Sequence, residues 1–457
     1  METSDSGNIT PAKKSYKLIV IIMGLAGLGL LAFICIGAGL LYFVFGGVQG
    51  SATAITETMT QLAEQPVLNQ IAFVGNDGNL WLVAPDGQNL RSITADGKGY
   101  NFPTWAPDGR RLAFVGPNEK GETVLYVTPT GTSNPTILFD QPASAPFYLY
   151  WSPDSRSLTF LTQETEDLFM RQINPDTPGS DHVLGAGAPF YWVWAPNSAK
   201  LLLHVGGARS STSEAHLSLL DNRVGAERVQ LNLAPGLFQA PFWSADGQYF
   251  YYIAADDKQQ EAIYRTEAAT LKETLVTKLQ GFAYLALAPD NQHLAYVQIE
   301  GDTHPPFGVA YMVDTDGAHP RRLLDNPVGS LYWSPDGSKL ALLALARRDD
   351  GSTAKASGLA APLPQEVVFR WLVYDMAADT FETLLSFTPT GDFLQTVPFF
   401  DQYHQSLTFW SPDSRYFVAT RQESEENAAG SVWVLDTTGV EEPLKVGDGT
   451  LAVWSWK

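Results

Sequence analysis

The side chains that could perform catalysis or bind a metal ion are scattered along this 457-residue sequence. None of its seven histidines shows the His-x-x-x-His spacing that places two imidazoles on one face of a zinc-binding helix. A Gly-x-Ser-x-Gly pentapeptide, which carries the nucleophile in α/β-hydrolases, does not occur. The single cysteine, Cys35, lies in an apolar run and cannot form an intramolecular disulfide. The residue types therefore indicate no catalytic residue, no metal site and no cofactor.

One acidic phrase resembles the start of a calcium-binding loop. Asp314-Thr-Asp316-Gly317 has the right first residues, but the glutamate expected at the twelfth position of such a loop is absent. The same offset in another part of the chain reads Pro85-Asp-Gly87, which is a typical turn sequence. We therefore predict a turn at Asp314 to Gly317.

The overall charge excludes one class of partner. The formal net charge is −20 at pH 7, and an acidic surface repels the phosphate backbone of nucleic acids. A surface of this kind more often provides solubility than a cation site. We expect no nucleic-acid partner.

The N-terminal region predicts a membrane anchor. Residues 18–47 contain no charged side chain, and a helix of that length exceeds the hydrocarbon core of about 30 Å. Lys13, Lys14 and Lys17 precede the run, and no basic residue follows it until Arg91, so the positive-inside rule puts the N-terminus in the cytoplasm. We predict a cytoplasmic tail at 1–17, a transmembrane helix at 18–47, a linker at 48–68 and an extracytoplasmic domain at 69–457. Cleavage of the run near residues 47–54 is the alternative.

A repeat of about 43–49 residues dominates the remaining sequence, and this period is typical of the blades of a β-propeller. Each copy is an apolar run ending in Trp, then Ser or Ala, Pro, Asp, and Gly or Ser. The first position is occupied by Trp105, Trp151, Trp194, Trp243, Leu287, Trp333 and Trp410. The acidic or amide position is occupied by Asp108, Asp154, Asn197, Asp246, Asp290, Asp336 and Asp413. Recurrence of the acid in almost every copy favours a structural role over a catalytic one.

Turn chemistry explains the phrase. Pro presets φ at the first central position of a tight turn, Asp suits the second, and Gly at the fourth tolerates positive φ. A large apolar residue opens the next strand seven positions after each anchor, as Leu112 does after Trp105. Third strands such as 123–128 and fourth strands such as 90–94 complete four strands per repeat, which is one blade.

The chain ends predict how the ring closes. The repeat begins at Gln70 to Val74 with a second strand that lacks a first, and it stops at Leu451 to Lys457 with a first strand, containing Trp454, that lacks a second. Pairing of these two segments would leave no open sheet edge between the first and last blades. The fold predicted is an all-β, eight-bladed propeller, with the long interval from Trp333 to Trp410 holding one blade and its insertions. A ninth blade is the alternative.

The phrases Trp333-Ser-Pro-Asp-Gly-Ser-Lys-Leu-Ala-Leu342 and Asn79-Leu-Trp-Leu-Val-Ala-Pro-Asp-Gly87 resemble the repeats of TolB-like, WD-type propellers. They are also similar to the N-terminal propeller of the dipeptidyl-peptidase family. The resemblance implies the fold, and it leaves function open because such repeats occur in scaffolds, receptors and regulatory domains. The α/β-hydrolase domain that carries catalysis in those peptidases has no counterpart here.

The variable connections predict a binding face. In an antiparallel meander, the tight turns lie on one face of the ring, and the longer, varied connections lie on the other. The two largest insertions, residues 347–365 and 388–405, fall on this loop face in neighbouring blades. The candidate binding residues on them are Arg347, Arg348, Phe393, Phe399, Phe400, Tyr403 and His404. Burial of these aromatic side chains beneath their own loop is the alternative.

Three functions follow from these patterns. The favoured one is a non-catalytic, membrane-anchored extracytoplasmic protein that presents its loop face to a protein or cell-envelope glycan. The alternative is a propeller enzyme, a hydrolase or lyase acting on peptides or glycans at the loop face or central channel. A sensor that signals inward is disfavoured because the predicted cytoplasmic tail is too short to hold a domain.

Overall fold

The computed structural model describes residues 68–457, apart from 165–166, 188, 208–214, 238, 256–259, 301–305, 348–366 and 425–428. The predicted tail, transmembrane helix and all of the linker before Leu68 lie outside the described residues, so the membrane anchor stays a prediction. Among the residues that are described, no helix combines the length and the apolar character needed to cross a membrane.

The described chain forms eight antiparallel sheets arranged as the blades of a propeller. Blade 1 comprises β31 (Gly449–Trp454), β1 (Ile71–Gly75), β2 (Leu80–Val83) and β3 (Arg91–Ser92), and blade 2 comprises β4 (Asn101–Trp105), β5 (Arg111–Pro117), β6 (Thr123–Pro129) and β7 (Thr136–Phe139). Blade 3 comprises β8 (Pro146–Trp151), β9 (Leu158–Glu164), β10 (Asp167–Ile173) and β11 (His182–Gly187), and blade 4 comprises β12 (Phe190–Trp194), β13 (Lys200–Val205), β14 (His216–Asp221) and β15 (Val229–Gln230).

Blades 5 to 8 complete the ring. Blade 5 comprises β16 (Phe242–Trp243), β17 (Tyr249–Ala255), β18 (Glu261–Glu267) and β19 (Glu273–Lys278), and blade 6 comprises β20 (Ala283–Leu287), β21 (His293–Gln298), β22 (Val309–Asp314) and β23 (Arg321–Arg322). Blade 7 comprises β24 (Val328–Trp333), β25 (Lys339–Arg347), β26 (Val367–Asp375) and β27 (Thr380–Phe387), and blade 8 comprises β28 (Tyr416–Gln422), β29 (Gly430–Asp436) and β30 (Leu444–Gly447). The eight-bladed prediction is confirmed, and the interval after Trp333 holds one blade.

The predicted closure of the ring is confirmed. Strand β31 pairs antiparallel with β1, with Trp454 opposite Ile71 and Ala452 opposite Phe73. Beyond the paired strands, the amide of Gln70 donates to Ser455 Oγ at 2.9 Å. The first blade is therefore built from both ends of the propeller domain, which removes a free sheet edge.

The seven-residue register of the repeat is a direct cross-strand pairing. Trp105 lies opposite Leu112, and the equivalent pairs recur in the other repeats. The turn between them closes with a hydrogen bond from the amide of the fourth residue to the carbonyl of the first, as from Gly109 to Ala106 at 2.8 Å. The fourth residue has positive φ, 70° at Gly109 and 62° at Ser155, as the turn chemistry predicted.

Two kinds of hydrogen bond join neighbouring blades beside these turns. The repeat tryptophan donates its indole N–H to the preceding blade, as from Trp151 Nε1 to the carbonyl of Thr104 at 3.0 Å. The fourth turn residue accepts from an amide of the preceding blade, as Ser155 Oγ does from Asp108 N at 3.0 Å. Equivalent bonds involve Trp105, Trp333, Trp410, Ser198, Asn291 and Ser414. The repeated phrase thus builds both the hairpin and the seam between blades.

The insertion before blade 8 is helical. Helix α1 (Gly391–Thr396), a 3-10 turn (Val397–Phe399) and helix α2 (Phe400–Ser406) follow β27 directly. Only three residues separate Ser406, the last residue of α2, from Trp410. The inner strand of blade 8 is consequently reduced to the single bridge between Trp410 and Phe417.

Candidate functional site: a plugged axial cavity

The helical insertion, which we call the plug (residues 391–406), packs into the axis of the ring from the loop face. Phe400 is completely buried, with its ring centroid 5.3 Å from that of Tyr284 and 6.4 Å from that of Tyr332. Tyr403 stacks on Phe102 at 6.4 Å. These partners belong to the inner strands of blades 6, 7 and 2, so the plug spans the ring.

Polar contacts fix the position of helix α2. The hydroxyl oxygens of Tyr148 and Tyr191 lie 3.0 and 3.2 Å from the carbonyl oxygen of Gln402. Burial raises the pKa of both phenols well above the usual range, so they stay uncharged. The buried carboxylate of Asp401 accepts from the amide of Ala240 at 2.8 Å.

The first helix of the plug is attached to the closing strand. The hydroxyl of Thr390 donates to the carbonyl of Thr450, and the hydroxyl of Thr450 donates to Asp392 Oδ2 at 2.5 Å. Because Thr450 belongs to β31, the plug and the ring closure share a hydrogen-bonded contact.

A cavity of about 420 Å³ occupies the other half of the axis. Its floor is formed by His404 and Gln405 of the plug. Its mouth lies between turn residues that are mainly exposed, such as Pro153, Ala245 and Pro335. Its wall is formed by Tyr150, Val193, Trp194, Phe242, Trp243, Leu287, Tyr332, Trp333, Phe409, Trp410 and Trp456, among others. The cavity therefore opens on the turn face and is closed toward the loop face.

Of the described residues that line the cavity, His404 is the one that carries an imidazole. Its ring centroid lies 5.7 Å from that of Tyr332 and 6.2 Å from that of Phe242. Burial lowers the pKa of His404 to about 4, so the ring is neutral at pH 7. A neutral imidazole presents one N–H donor and one nitrogen acceptor. Among the described residues, no Asp, Glu, Lys or Arg contributes to the lining.

The structure separates the residues that the sequence grouped as a binding set. Phe393 and Phe400 are buried, whereas Phe399 is 44% exposed. Tyr403 and His404 are partly buried and point into the ring rather than forming one surface with Phe399. Arg347 ends β25, and neither its side chain nor Arg348 is among the described residues. Binding by this set stays a prediction, and the exposed Phe399 is its accessible member on the loop face.

The wall of the cavity was missed at the level of sequence, although the repeat held a signal for it. The residue just before the anchor tryptophan is large and aromatic in four copies, namely Tyr150, Phe242, Tyr332 and Phe409. Because neighbouring side chains in a strand point to opposite faces of the sheet, the side chain at this position points away from that of the anchor tryptophan. The inner strands bring the four together around the axis.

The acidic phrase forms the predicted turn. Gly317 has φ of 92°, and Asp316 Oδ1 accepts from the amide of Ala318 at 2.9 Å. Asp314 Oδ2 lies 2.7 Å from His319 Nδ1. Within the described ranges, no three His, Cys, Asp or Glu side chains are grouped so that they could hold a metal ion.

No protein-family model matches the sequence. The solved structures that the chain resembles include TolB from Acinetobacter baumannii, at 16% identity over 55% of this chain and 62% of the TolB chain, with a TM-score of 0.36. The β-propeller domain of the Trilobed protease from Pyrococcus furiosus matches at 13% identity over 76% of this chain and 95% of that chain, with a TM-score of 0.44.

A third match is dihydro-heme d1 dehydrogenase NirN, solved in complex with DHE. It shares 13% identity over 84% of this chain and 75% of its own, with a TM-score of 0.52. At these identities the likeness concerns the fold alone. TolB structures are among those that the chain resembles, as the repeats led us to expect. The predicted order of strands in a blade is confirmed by the sheet topology.

Proposed function

We propose that this protein is a non-catalytic binding protein, anchored in the membrane by residues 18–47 and displayed outside the cytoplasm, whose axial cavity takes up a small molecule or a projecting group of a larger partner. The observation that carries the proposal is the preformed cavity, open between the turns and lined by uncharged, mainly apolar side chains, many of them aromatic. Its volume of about 420 Å³ falls within the range typical of small-molecule sites.

The chemistry of the lining supports binding over catalysis. A general acid–base mechanism needs titratable groups placed to transfer protons, usually with pKa values near the working pH. His404 is far from that condition, since its pKa is lowered to about 4 by burial. In the part of the chain that the structure describes, the lining contains no carboxylate to act as its partner. The hydrolase or lyase alternative therefore gains no support from this cavity.

The sequence supports the location. The uncharged run at 18–47, preceded by three lysines, favours a retained anchor with the propeller on the extracytoplasmic side. A cell-envelope component is the class of partner that such a protein would meet.

The neutral dye N-phenyl-1-naphthylamine, which fluoresces in apolar surroundings, tests whether the cavity is an accessible site. We expect the full chain in detergent to bind one equivalent saturably above the detergent background. Ala245→Trp should block the mouth, because Ala245 is an exposed residue of the rim. Ala199→Trp is the matched control, since Ala199 is exposed in the turn of the neighbouring blade and outside the lining. Equal binding by both variants would contradict the proposal. So would turnover of a peptide or glycan substrate that His404→Phe abolishes.

A further inference from the structure

The polar groups at the floor of the axial cavity set a requirement for its ligand. Neither imidazole nitrogen of His404 forms a hydrogen bond with any other described residue, and burial is the sole cause of its lowered pKa. Gln405 uses its Nε2 to donate to the carbonyl of Pro241 at 3.0 Å, which leaves its Oε1 for another donor. These two floor residues thus carry one N–H donor and two acceptors that no other described residue engages. Hydroxyl groups, which both donate and accept, match this set.

The remaining polar groups of the lining are of two kinds. The indole N–H groups of Trp194 and Trp243 are buried without a hydrogen-bond partner among the described residues, whereas two hydroxyls are engaged by the protein. Ser244 Oγ donates to Asp246 Oδ1 at 2.6 Å, and the hydroxyl of Thr408 accepts from the amide of Trp410 at 3.1 Å. These hydroxyls are already committed to the protein. His404 and Gln405 carry the polar groups of the floor, and Trp194 and Trp243 carry further N–H donors in the lining.

The wall selects for an uncharged ligand with apolar faces. Aromatic rings from Tyr150, Phe242, Tyr332 and Trp456 surround the space above the floor. An anion would enter without a basic partner and would be repelled by a chain of net charge −20. A quaternary ammonium could stack on such rings, but it would leave the floor groups without hydrogen bonds.

A pyranose ring satisfies both conditions, because its C–H faces are apolar and its edge carries hydroxyls. The negative face of an aromatic ring attracts such weakly positive C–H groups. The cavity of about 420 Å³ accommodates a mono- or disaccharide.

We propose that the axial cavity binds a neutral sugar, which stacks against the aromatic wall and hydrogen-bonds through its hydroxyls to His404 and Gln405. This inference rests on the proposed binding function and names its ligand class. The plug supplies the floor, so the helical insertion serves as the specificity element of the site.

Titration of the full chain in a sugar-free detergent tests the inference, with tryptophan emission as the readout because Trp194, Trp243, Trp333 and Trp456 line the cavity. The probes are N-acetylglucosamine, its β-1,4-linked disaccharide, glucuronate and tetramethylammonium. We expect saturable binding of a neutral sugar that displaces N-phenyl-1-naphthylamine, with at least tenfold weaker binding of glucuronate.

His404→Phe is the decisive variant, because it keeps an aromatic ring between Phe242 and Tyr332 and removes both polar nitrogens. Loss of hydrogen bonds to a buried ligand should weaken sugar binding about tenfold or more, while dye binding is retained. Leu394→Ala, on the exposed side of the plug and outside the cavity lining, should leave sugar affinity unchanged.

Three results would overturn the inference: no sugar binds, tetramethylammonium binds in place of sugar, or a folded His404→Phe protein binds sugar as tightly as the parent. In each case dye binding that Ala245→Trp blocks would leave the proposed binding function standing. Loss of dye binding in the parent chain would remove both.

Discussion

The turn face and the loop face of the ring differ in how well the sequence predicts their structure. The turn face is built from copies of one short phrase, whereas the loop face carries connections of varied length and the helical plug. Variable loops on a rigid scaffold usually carry binding residues. Here the largest described insertion folds inward and fills the loop side of the axis, and the open cavity lies among the uniform turns. Variation in loop length therefore shows where the fold tolerates insertions. Whether an insertion is buried or exposed determines which face of the ring stays open to a ligand.

The two faces are also stabilised differently. The turn face is held by many similar hydrogen bonds, such as that from Asp108 N to Ser155 Oγ. The plug is held by a concentrated aromatic contact at Phe400 and by the buried carboxylate of Asp401. Single substitutions should therefore cost more free energy at the plug than at the turns.

The largest effect is expected at Phe400. Phe400→Ala should lower the free energy of unfolding of the propeller by about 3–5 kcal/mol, because it leaves a cavity between Tyr284 and Tyr332. Phe399→Ala, one residue earlier and 44% exposed, should change it by no more than about 0.5 kcal/mol. Urea unfolding followed by tryptophan fluorescence measures both. Equal losses would mean that the plug is not anchored through the axis.

An intermediate effect is expected from pH at the floor of the cavity. The pKa of His404 is about 4 in the folded protein against an ordinary value of 6.5, so the unfolded chain takes up the proton first as pH falls. Stability from this group is complete above pH 6.5 and declines between pH 6.5 and about 4, by at most about 3 kcal/mol. Tyr332, which packs on the ring, stays uncharged here because burial raises its pKa. Asp401 lies one turn earlier on the same helix.

Unfolding free energies of the parent and His404→Phe proteins at several pH values measure this contribution. The parent should lose more stability than the variant between pH 6.5 and 4. His204 also has a pKa lowered to about 4 by burial and contributes equally to both proteins. If stability fell equally with pH in the two proteins, the His404 side chain would not be shielded from water in the folded protein.

The smallest effect is expected on the turn face. Ser155→Ala removes the acceptor for Asp108 N, which should cost about 1 kcal/mol. Ser155→Gly loses the same bond but relieves the cost of φ at 62°, so its loss should be smaller. Thermal unfolding of the two variants compares them. A greater loss for Gly than for Ala would show that the hydroxyl and the left-handed backbone are not the main features of this turn.

The repeat made much of the fold predictable. Each Trp-Ser-Pro-Asp phrase specifies a turn within a few residues, and the spacing from Trp105 to Leu112 sets the strand register on either side of it. The split first blade followed from the two incomplete copies, and pairing of Trp454 with Ile71 confirms it. The short helices of the plug were not predicted, because helices of six or seven residues depend on tertiary contacts for stability.

The sequence alone determined the number of blades, the chemistry of the turns and the way the ring closes, because these depend on local turn preferences and on a pattern that recurs along the chain. Only the tertiary structure decided that the aromatic insertion turns into the axis and that the cavity opens on the opposite face. The space available to the plug is left by the inner strands of several blades, and its shape is set by residues as far apart in sequence as Phe102 and Tyr403. No local segment contains that information.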